Sequence, residues 1–352
     1  MNNIIKEDLK NIISSKLPWE KFRGKTVLVS GATGFLPAYM VQTLLYLNDT
    51  MYNGKDKIRV LALARNPEKV KKRFSEYLKR QDIYFLLQDV CEPIDVSEKV
   101  DIIIHAASQA SPKYYGKDPV GTLLANVVGT KNLLELAVKS KAEKFLFFSS
   151  GEVYGEVSSE QIPIKETNFG YFNPAEVRSC YGESKRMGEN MCVSWTHQFG
   201  INAVIVRPFH TYGPGMSLDD GRVFADFVAD IVNNRNIVLK SDGNAIRAFC
   251  YLSDAVIGFF TVLLKGEKAN AYNVGNEKCE ISIYELAKSL VGLYPEKRLI
   301  VKRSIQAQNG YIVSKVQRPV PDTTKLRVLG WEPVIDIEKG FRRTIESYED
   351  EQ

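Results

Sequence analysis

Tyr181-Gly-Glu-Ser-Lys185 sets a phenol and an ammonium four residues apart. On a helix that spacing puts both groups on one face, one turn apart. An ammonium beside a phenol lowers its pKa by charge proximity, so Tyr181 is expected to act as a base toward a substrate hydroxyl near neutral pH. A second stretch, Phe147-Phe148-Ser149-Ser150-Gly151-Glu152, reads as the end of a buried strand running into a turn. Ligands sit at that edge of an open parallel sheet, which places Ser150 to hydrogen-bond the reacting oxygen. Glu152 adds a carboxylate beside the same cleft, a costly position unless the charge is used or paired. Ser150, Glu152, Tyr181 and Lys185 form the candidate catalytic set.

A third stretch, Ser30-Gly31-Ala32-Thr33-Gly34-Phe35-Leu36-Pro37, follows an apolar strand and opens a helix. Gly31 allows the tight turn. Gly34 lets the backbone approach a pyrophosphate, which then rests on the helix N-terminus. Thr33, Phe35 and Leu36 complete this cofactor-binding turn, and Pro37 suits a first helical turn because its missing N–H is not needed. The acidic residue expected after the second strand is absent; the chain reads Ala64-Arg65-Asn66 there. An arginine suits a ribose 2′-phosphate, so Arg65 pulls toward NADP, or toward NAD held with less selectivity. Asp89-Val90 closes the third strand, where the carboxylate is placed to accept from an adenine amine.

These residues need elements to position them. Apolar residues at helical spacing predict a leading helix over 3–17. Buried strands are expected at 25–30, 58–64, 83–87, 100–105, 145–148 and 202–207. Helices are expected at 36–47, 67–79, 118–139 and 180–199. This alternation implies right-handed βαβ units and a parallel sheet. Beyond about 208 the regularity fades. Short strands (237–240, 247–251, 271–274) mix with helices (222–234, 253–265, 282–293). The fold class is α/β: a Rossmann-type doubly wound parallel sheet with a smaller mixed α/β C-terminal substrate lobe. The expected division is a helical extension at 1–23, a NAD(P)-binding domain at 24–207 and a second lobe at 208–352, with segments exchanged between lobes. The turn-rich stretches 156–179 and 305–322 are long enough to suggest function.

Composition narrows the classes. With 352 residues, 44% of them hydrophobic, the chain has ample apolar surface to order itself. Lysine and arginine total 47 against 42 aspartates and glutamates, a weak net charge of +5 that suits an anionic small substrate and does not call for nucleic acid. Five cysteines without a CxxC pair argue against a disulfide framework, and three histidines lack metal-ligand spacing. No metal is expected. The absence of a long apolar run argues against a membrane span, and the cytoplasm is the expected compartment.

Several stretches together resemble extended short-chain dehydrogenases/reductases of the nucleotide-sugar epimerase/dehydratase family. They are His105-Ala-Ala-Ser-Gln-Ala-Ser-Pro112, Asn126-Val-Val-Gly-Thr130, Arg178-Ser-Cys-Tyr-Gly-Glu-Ser-Lys-Arg186, Asp220-Gly-Arg-Val223, Arg247-Ala-Phe-Cys-Tyr251 and Leu329-Gly-Trp-Glu-Pro333. The resemblance covers roughly 24–350 and looks closest to the UDP-glucuronate decarboxylases. It implies a bound NAD, with NADP possible because of Arg65, near Ala106, Ala107 and Asn126. It implies a nucleotide-diphosphate sugar substrate, contacted by Ser111, Arg178 and His210. Arg222, Arg247 and Arg318 are candidate diphosphate clamps, since arginine suits bidentate phosphate contacts. It also implies a homodimer through a four-helix bundle built from the helices at 118–139 and 180–199, and a place in surface-polysaccharide synthesis.

The implied reaction is a redox-neutral cycle. Tyr181 takes the sugar C4 hydroxyl proton, Ser150 polarises that oxygen, and Lys185 holds Tyr181 and the cofactor ribose. A 4-keto group turns a C6 carboxylate into a β-keto acid, which loses carbon dioxide readily. Arg247 neutralises charge, and Glu152 orients the sugar. Two positions depart from the family pattern: Gly151, where a serine (decarboxylases) or aspartate (4,6-dehydratases) usually stands, and His210, usually asparagine. A 4-epimerase, a 4,6-dehydratase or a C4 oxidoreductase on the same scaffold remains open, as does a non-catalytic dinucleotide-binding protein.

Overall fold

A computed structural model of the chain describes residues 2–304 and 318–349. Its strands are β1 (Thr26–Ser30), β2 (Arg59–Ala64), β3 (Ile83–Leu87), β4 (Ile102–His105), β5 (Lys144–Phe148), β6 (Ala203–Pro208), β7 (His210–Tyr212), β8 (Ile237–Leu239), β9 (Ile246–Tyr251), β10 (Ala271–Val274), β11 (Glu280–Ser282) and β12 (Val301–Arg303). Its helices are α1 (Asn3–Ile13), α2 (Phe35–Thr50), α3 (Pro67–Arg73), α4 (Pro112–Lys117), α5 (Pro119–Ser140), α6 (Ser179–Phe199), α7 (Val223–Val232), α8 (Leu252–Lys265), α9 (Ile283–Gly292), α10 (Thr324–Val328) and α11 (Ile337–Glu349).

Seven parallel strands form the main sheet in the order β10-β6-β5-β4-β1-β2-β3. The order reverses between β1 and β4, the switch point where an open sheet holds its ligands. The expected Rossmann-type sheet is what the chain forms. Alternate residues of β1 serve two cores. Val27 and Val29 face α1, α2 and α8, whereas Leu28 packs with Ile103, Leu133 and Phe145 on the α5 and α6 side. Burial on both faces explains why these strands read as continuous apolar runs. A third core gathers α7, α9 and α11 around Phe249 and Phe341 beside the small β11-β9-β7 sheet.

Four details differ from the sequence expectations. The strand at 271–274 is not part of the smaller sheet but is β10, the edge strand of the main one, paired with β6. The helix expected over 67–79 stops at Arg73, followed by a 3-10 turn at Ser75–Tyr77. Phe74 and Tyr77 are both buried and meet edge to face at 6.1 Å, which turns the chain inward. The leading helix ends at Ile13, not at 17. The short α4 and the C-terminal α10 and α11 were not expected from the sequence. Of the long stretch 305–322, residues 305–317 lie outside the described residues. Its end returns to the other long stretch through a bridge between Ile164 and Pro321.

Candidate active site

The cleft along the C-terminal edge of the main sheet has a volume of about 1840 Å3. The turn after β1 forms its floor. Gly31 lies at φ +66°, and a Cβ there would fall 2.7 Å from the Ala107 Cα. Only glycine fits such a left-handed, closely approached position. Gly34 caps α2 without any side-chain hydrogen bond, so the first N–H groups of that helix remain to a ligand. A cradle without side chains, at an uncapped helix N-terminus, fits a pyrophosphate. Thr33, Phe35, Leu36, Ala106 and Ala107 line the cleft around it.

Behind this floor runs a buried polar chain. Ser30 Oγ accepts from the Ala106 and Ala107 amides at 3.2 Å and meets His105 Nδ1 at 2.8 Å. His105 Nε2 meets Thr130 Oγ1 at 3.0 Å. Burial first, then the nearby Lys185 charge, lowers the His105 pKa to about 3, so the ring is neutral and works as a structural link. Asn126 Nδ2 donates to Ser184 Oγ at 2.9 Å, which ties α5 to the second turn of α6. Asn126 is fully buried and does not line the cleft, so it stands behind the wall rather than at the ligand surface.

At the end of the cleft beside β2 and β3, Arg65 and Asp89 both line the cleft and approach each other at 3.5 Å. The Cys91 amide, donating to Asp89 at 2.9 Å, holds that carboxyl below its usual range. Val90 lies beside it. Asn66 and Lys69 join Arg65 on this wall. They follow β2 directly in sequence, a signal that singling out Arg65 alone overlooked.

The catalytic candidates meet at the other end. β5 carries Ser150 just past its tip, and α6 presents Tyr181 and Lys185 from its first two turns. Ser150 Oγ accepts from the Glu152 amide at 3.2 Å and lines the cleft together with Tyr181, close enough to draw on its phenol. Lys185 Nζ donates to the Phe148 carbonyl at 2.7 Å and lies 5.7 Å from the Tyr181 ring centre. The expected lowering of the phenol pKa by this ammonium is not what the structure has. Burial pushes Tyr181 up to about 12, against a smaller downward pull from Ser150. Burial likewise pushes Lys185 down to about 7. Desolvation opposes charge on both groups. Tyr115 stacks on Tyr181 at 4.9 Å, a contact that sequence spacing does not reveal.

Glu152 is paired. Arg178 Nη1 donates to its Oε2 at 3.1 Å, with Arg178 also over the Tyr115 ring at 5.7 Å. Gly151 lies flat against Phe209: a Cβ there would fall 3.2 Å from three carbons of that ring. The space a longer side chain would take is thus filled by an aromatic edge. His210, Arg222 and Arg247 line the cleft beyond. Burial first, then the two arginine charges, holds His210 well below its usual pKa. Arg222 pairs with Asp220 at 2.5 Å, and Ser111 Oγ donates to the Asp220 carbonyl. Arg318 is not brought in; its Nη2 meets Glu280 at 2.9 Å and its Nε meets the second carboxylate oxygen, outside the cleft lining.

The chain belongs to the NAD dependent epimerase/dehydratase family, whose sequence profile matches residues 27–275. Among its relatives, UDP-glucuronic acid decarboxylase 1 of Xenopus tropicalis is 31% identical, over 98% of this chain and 78% of that protein. UDP-glucuronic acid decarboxylase 3 of Arabidopsis thaliana is 34% identical, over 90% of this chain and 86% of its own. Among solved structures, a UDP-glucuronic acid 4-epimerase from Bacillus cereus, in complex with UDP-glucuronic acid and NAD, superposes with a TM-score of 0.77 over 93% of this chain and 100% of that one, at 21% identity. A UDP-glucose 4-epimerase from Thermotoga maritima superposes with a TM-score of 0.78 at 21% identity, over 93% of this chain and 99% of that one. At that identity the likeness is one of fold.

Proposed function

We propose that the cleft binds a nicotinamide dinucleotide and a nucleotide-diphosphate sugar, and that the protein decarboxylates UDP-glucuronate. The observation that carries this reading is one cleft wall on which Ser150, Tyr181 and the Lys185 held by the Phe148 carbonyl adjoin the Glu152–Arg178 ion pair. The relatives named UDP-glucuronic acid decarboxylases support it, since they match nearly the whole chain.

The nicotinamide, when bound, supplies a reversible hydride acceptor for the sugar C4 and adds no net oxidation. Gly31, Thr33, Gly34, Phe35 and Leu36 would hold its pyrophosphate. The residues of the chain do the rest. With the positive nicotinamide ring beside it offsetting the cost of burial, Tyr181 would be a phenolate whose Oη takes the C4 hydroxyl proton and later returns it, while Ser150 hydrogen-bonds the same oxygen. Lys185, fixed on the Phe148 carbonyl, keeps α6 against β5 and holds the cofactor ribose. With C4 a ketone, the bond between C5 and the C6 carboxylate breaks. Carbon dioxide leaves, and the electron pair remains as an enolate over C5, C4 and its oxygen. A proton then adds at C5. Arg247 and Arg222 offset the negative charge of the diphosphate and enolate, and Glu152, held by Arg178, orients the sugar. Gly151 offers no acid for water loss, which favours decarboxylation over 4,6-dehydration.

NAD is the proposed cofactor, with NADP accepted through Arg65. The protein is proposed to be a homodimer through α5 and α6, whose outer faces expose Val120, Leu124, Met187 and Val193. A monomer in light scattering at micromolar concentration contradicts that. A reducing cytoplasm suits the five cysteines, all of them free.

Mass spectrometry after incubation with UDP-glucuronate tests the reaction. A product lighter by one carbon dioxide, with the cofactor recovered in its original oxidation state, is expected. A product of unchanged mass points to a 4-epimerase, and loss of one water to a dehydratase; either result rejects decarboxylation.

A further inference from the structure

Residues 213–222 link β7 to α7 without regular structure, and Gly215 through Asp220 line the cleft. Four successive parts of this strap are held by side chains from elsewhere, each donating to a backbone carbonyl. Arg73 Nη2, at the end of α3, donates to Gly215 at 2.7 Å. The Tyr348 hydroxyl, on α11, donates to Met216. Lys113 Nζ donates to Asp219 at 2.9 Å, and Ser111 Oγ to Asp220 at 2.5 Å. All four donors line the cleft themselves.

The anchors stand on different walls. Arg73 belongs to the helix that follows Arg65 at the end beside β2 and β3. Ser111 and Lys113 belong to the segment after β4, which leads toward Tyr115 and the catalytic end. The strap therefore crosses the cleft from one wall to the other. Phe35, of the phosphate turn, packs against the same core cluster to which Met216 of the strap belongs. Gly215 and Gly221 lie at φ +77° and +85°, a conformation natural to glycine, at either side of the anchored stretch. The approach of Arg73 is close: a Cβ on Gly215 would fall 2.5 Å from its Nη1. Tyr348 is itself braced. Arg343, earlier on the same helix, pairs with Asp8 at 2.8 Å and Glu7 at 2.9 Å, and Asn2 Nδ2 donates to the Ser347 carbonyl at 3.0 Å. Both α1 and α11 lie outside the stretch that the family profile matches.

We propose that Arg73 and Tyr348 are positioning residues that latch the 213–222 strap across the dinucleotide, so that the cofactor stays bound from one turnover to the next. The proposal rests on the reading that this cleft holds a nicotinamide dinucleotide. A cofactor that must return the hydride it took gains from retention, since release between the two transfers would strand a ketone.

The test is cofactor release, read without any sugar substrate. Wild type, Arg73→Ala and Tyr348→Phe are loaded with NAD. Each is passed through gel filtration, and retained nicotinamide is counted by mass spectrometry after denaturation. Removing one charge-assisted hydrogen bond is expected to speed release by about tenfold in Arg73→Ala. Tyr348→Phe, which deletes a single hydroxyl, is expected to speed it by a smaller factor and keeps the test valid if Arg73→Ala does not fold. Release at the wild-type rate from both folded variants overturns the latch. Wild type that takes up no nicotinamide dinucleotide overturns instead the cofactor reading on which the latch depends.

Discussion

At one end of the cleft Tyr181 and Lys185 are 5% and 2% exposed, and burial displaces the pKa of both. At the other end the Arg65 and Asp89 side chains are 62% and 39% exposed and meet only at 3.5 Å. Water screens charge at this exposed end, so single residues there discriminate weakly. At the catalytic end Lys185 is fixed on the Phe148 carbonyl and Glu152 on Arg178, and burial displaces the charge states of Tyr181 and Lys185. Chemistry is built by exclusion of water, and recognition by accumulation of exposed contacts.

Substitutions at the two ends should therefore differ in size. Tyr181→Phe removes the only atom proposed to carry the C4 proton. Turnover is expected to fall by about 10^3-fold, the scale of general base loss, while bound cofactor is unchanged. Steady-state rates with parallel cofactor counting check this, and a mild loss would deny the dry end its special weight. Arg178→Ala leaves Glu152 unpaired beside the sugar and is expected to lower kcat/KM by about tenfold. Restoration by Arg178→Lys would reduce the requirement to charge alone.

Lys185 gives a prediction in pH. Its folded pKa, about 7, lies below the usual lysine value of 10.5. Between those values the unfolded chain binds more protons than the folded one, so stability rises with pH across that window. Lys185→Met should flatten the rise, which is worth roughly a few kcal/mol. Urea unfolding at pH 7 and pH 9 measures it; identical slopes for wild type and variant would mean that Lys185 is not desolvated as the fold implies. The smallest effect belongs to the wet end. Arg65→Ala should shift the preference between NADP and NAD by about threefold, within the range of exposed ion pairs. A far larger shift would show that this end also recognises by a single fixed contact.

The same contrast explains what the sequence makes legible. β1, β2, β4, β5 and β6 stand out because both faces are buried, so their apolar runs are unbroken, whereas the edge strand β3 leaves Tyr84 and Leu87 exposed. Tyr181 and Lys185 are visible because helix geometry turns a spacing of four into a shared face. The Glu152–Arg178 pair is not, since 26 residues separate the partners and only the fold brings them together. Asn126 and Arg318 stand away from the cleft lining for a related reason. Sequence proposes a type of contact, whereas packing decides whether the side chain reaches the cleft or another partner, here Ser184 and Glu280. The displaced pKa of Lys185 comes from burial, a property of the packed molecule that local spacing does not carry. α11 had a signal in Ile337, Phe341 and Ile345 at helical spacing, and these residues do pack into the third core.

The most direct test of decarboxylation through a C4 ketone is the reaction with UDP-glucuronate in deuterium oxide, read by NMR and mass spectrometry of the product. An enolate protonated by solvent predicts a nucleotide pentose carrying a single deuterium, at C5, with the nicotinamide recovered in its starting form. A product that keeps its carboxylate, or a pentose without deuterium at C5, would contradict that chemistry.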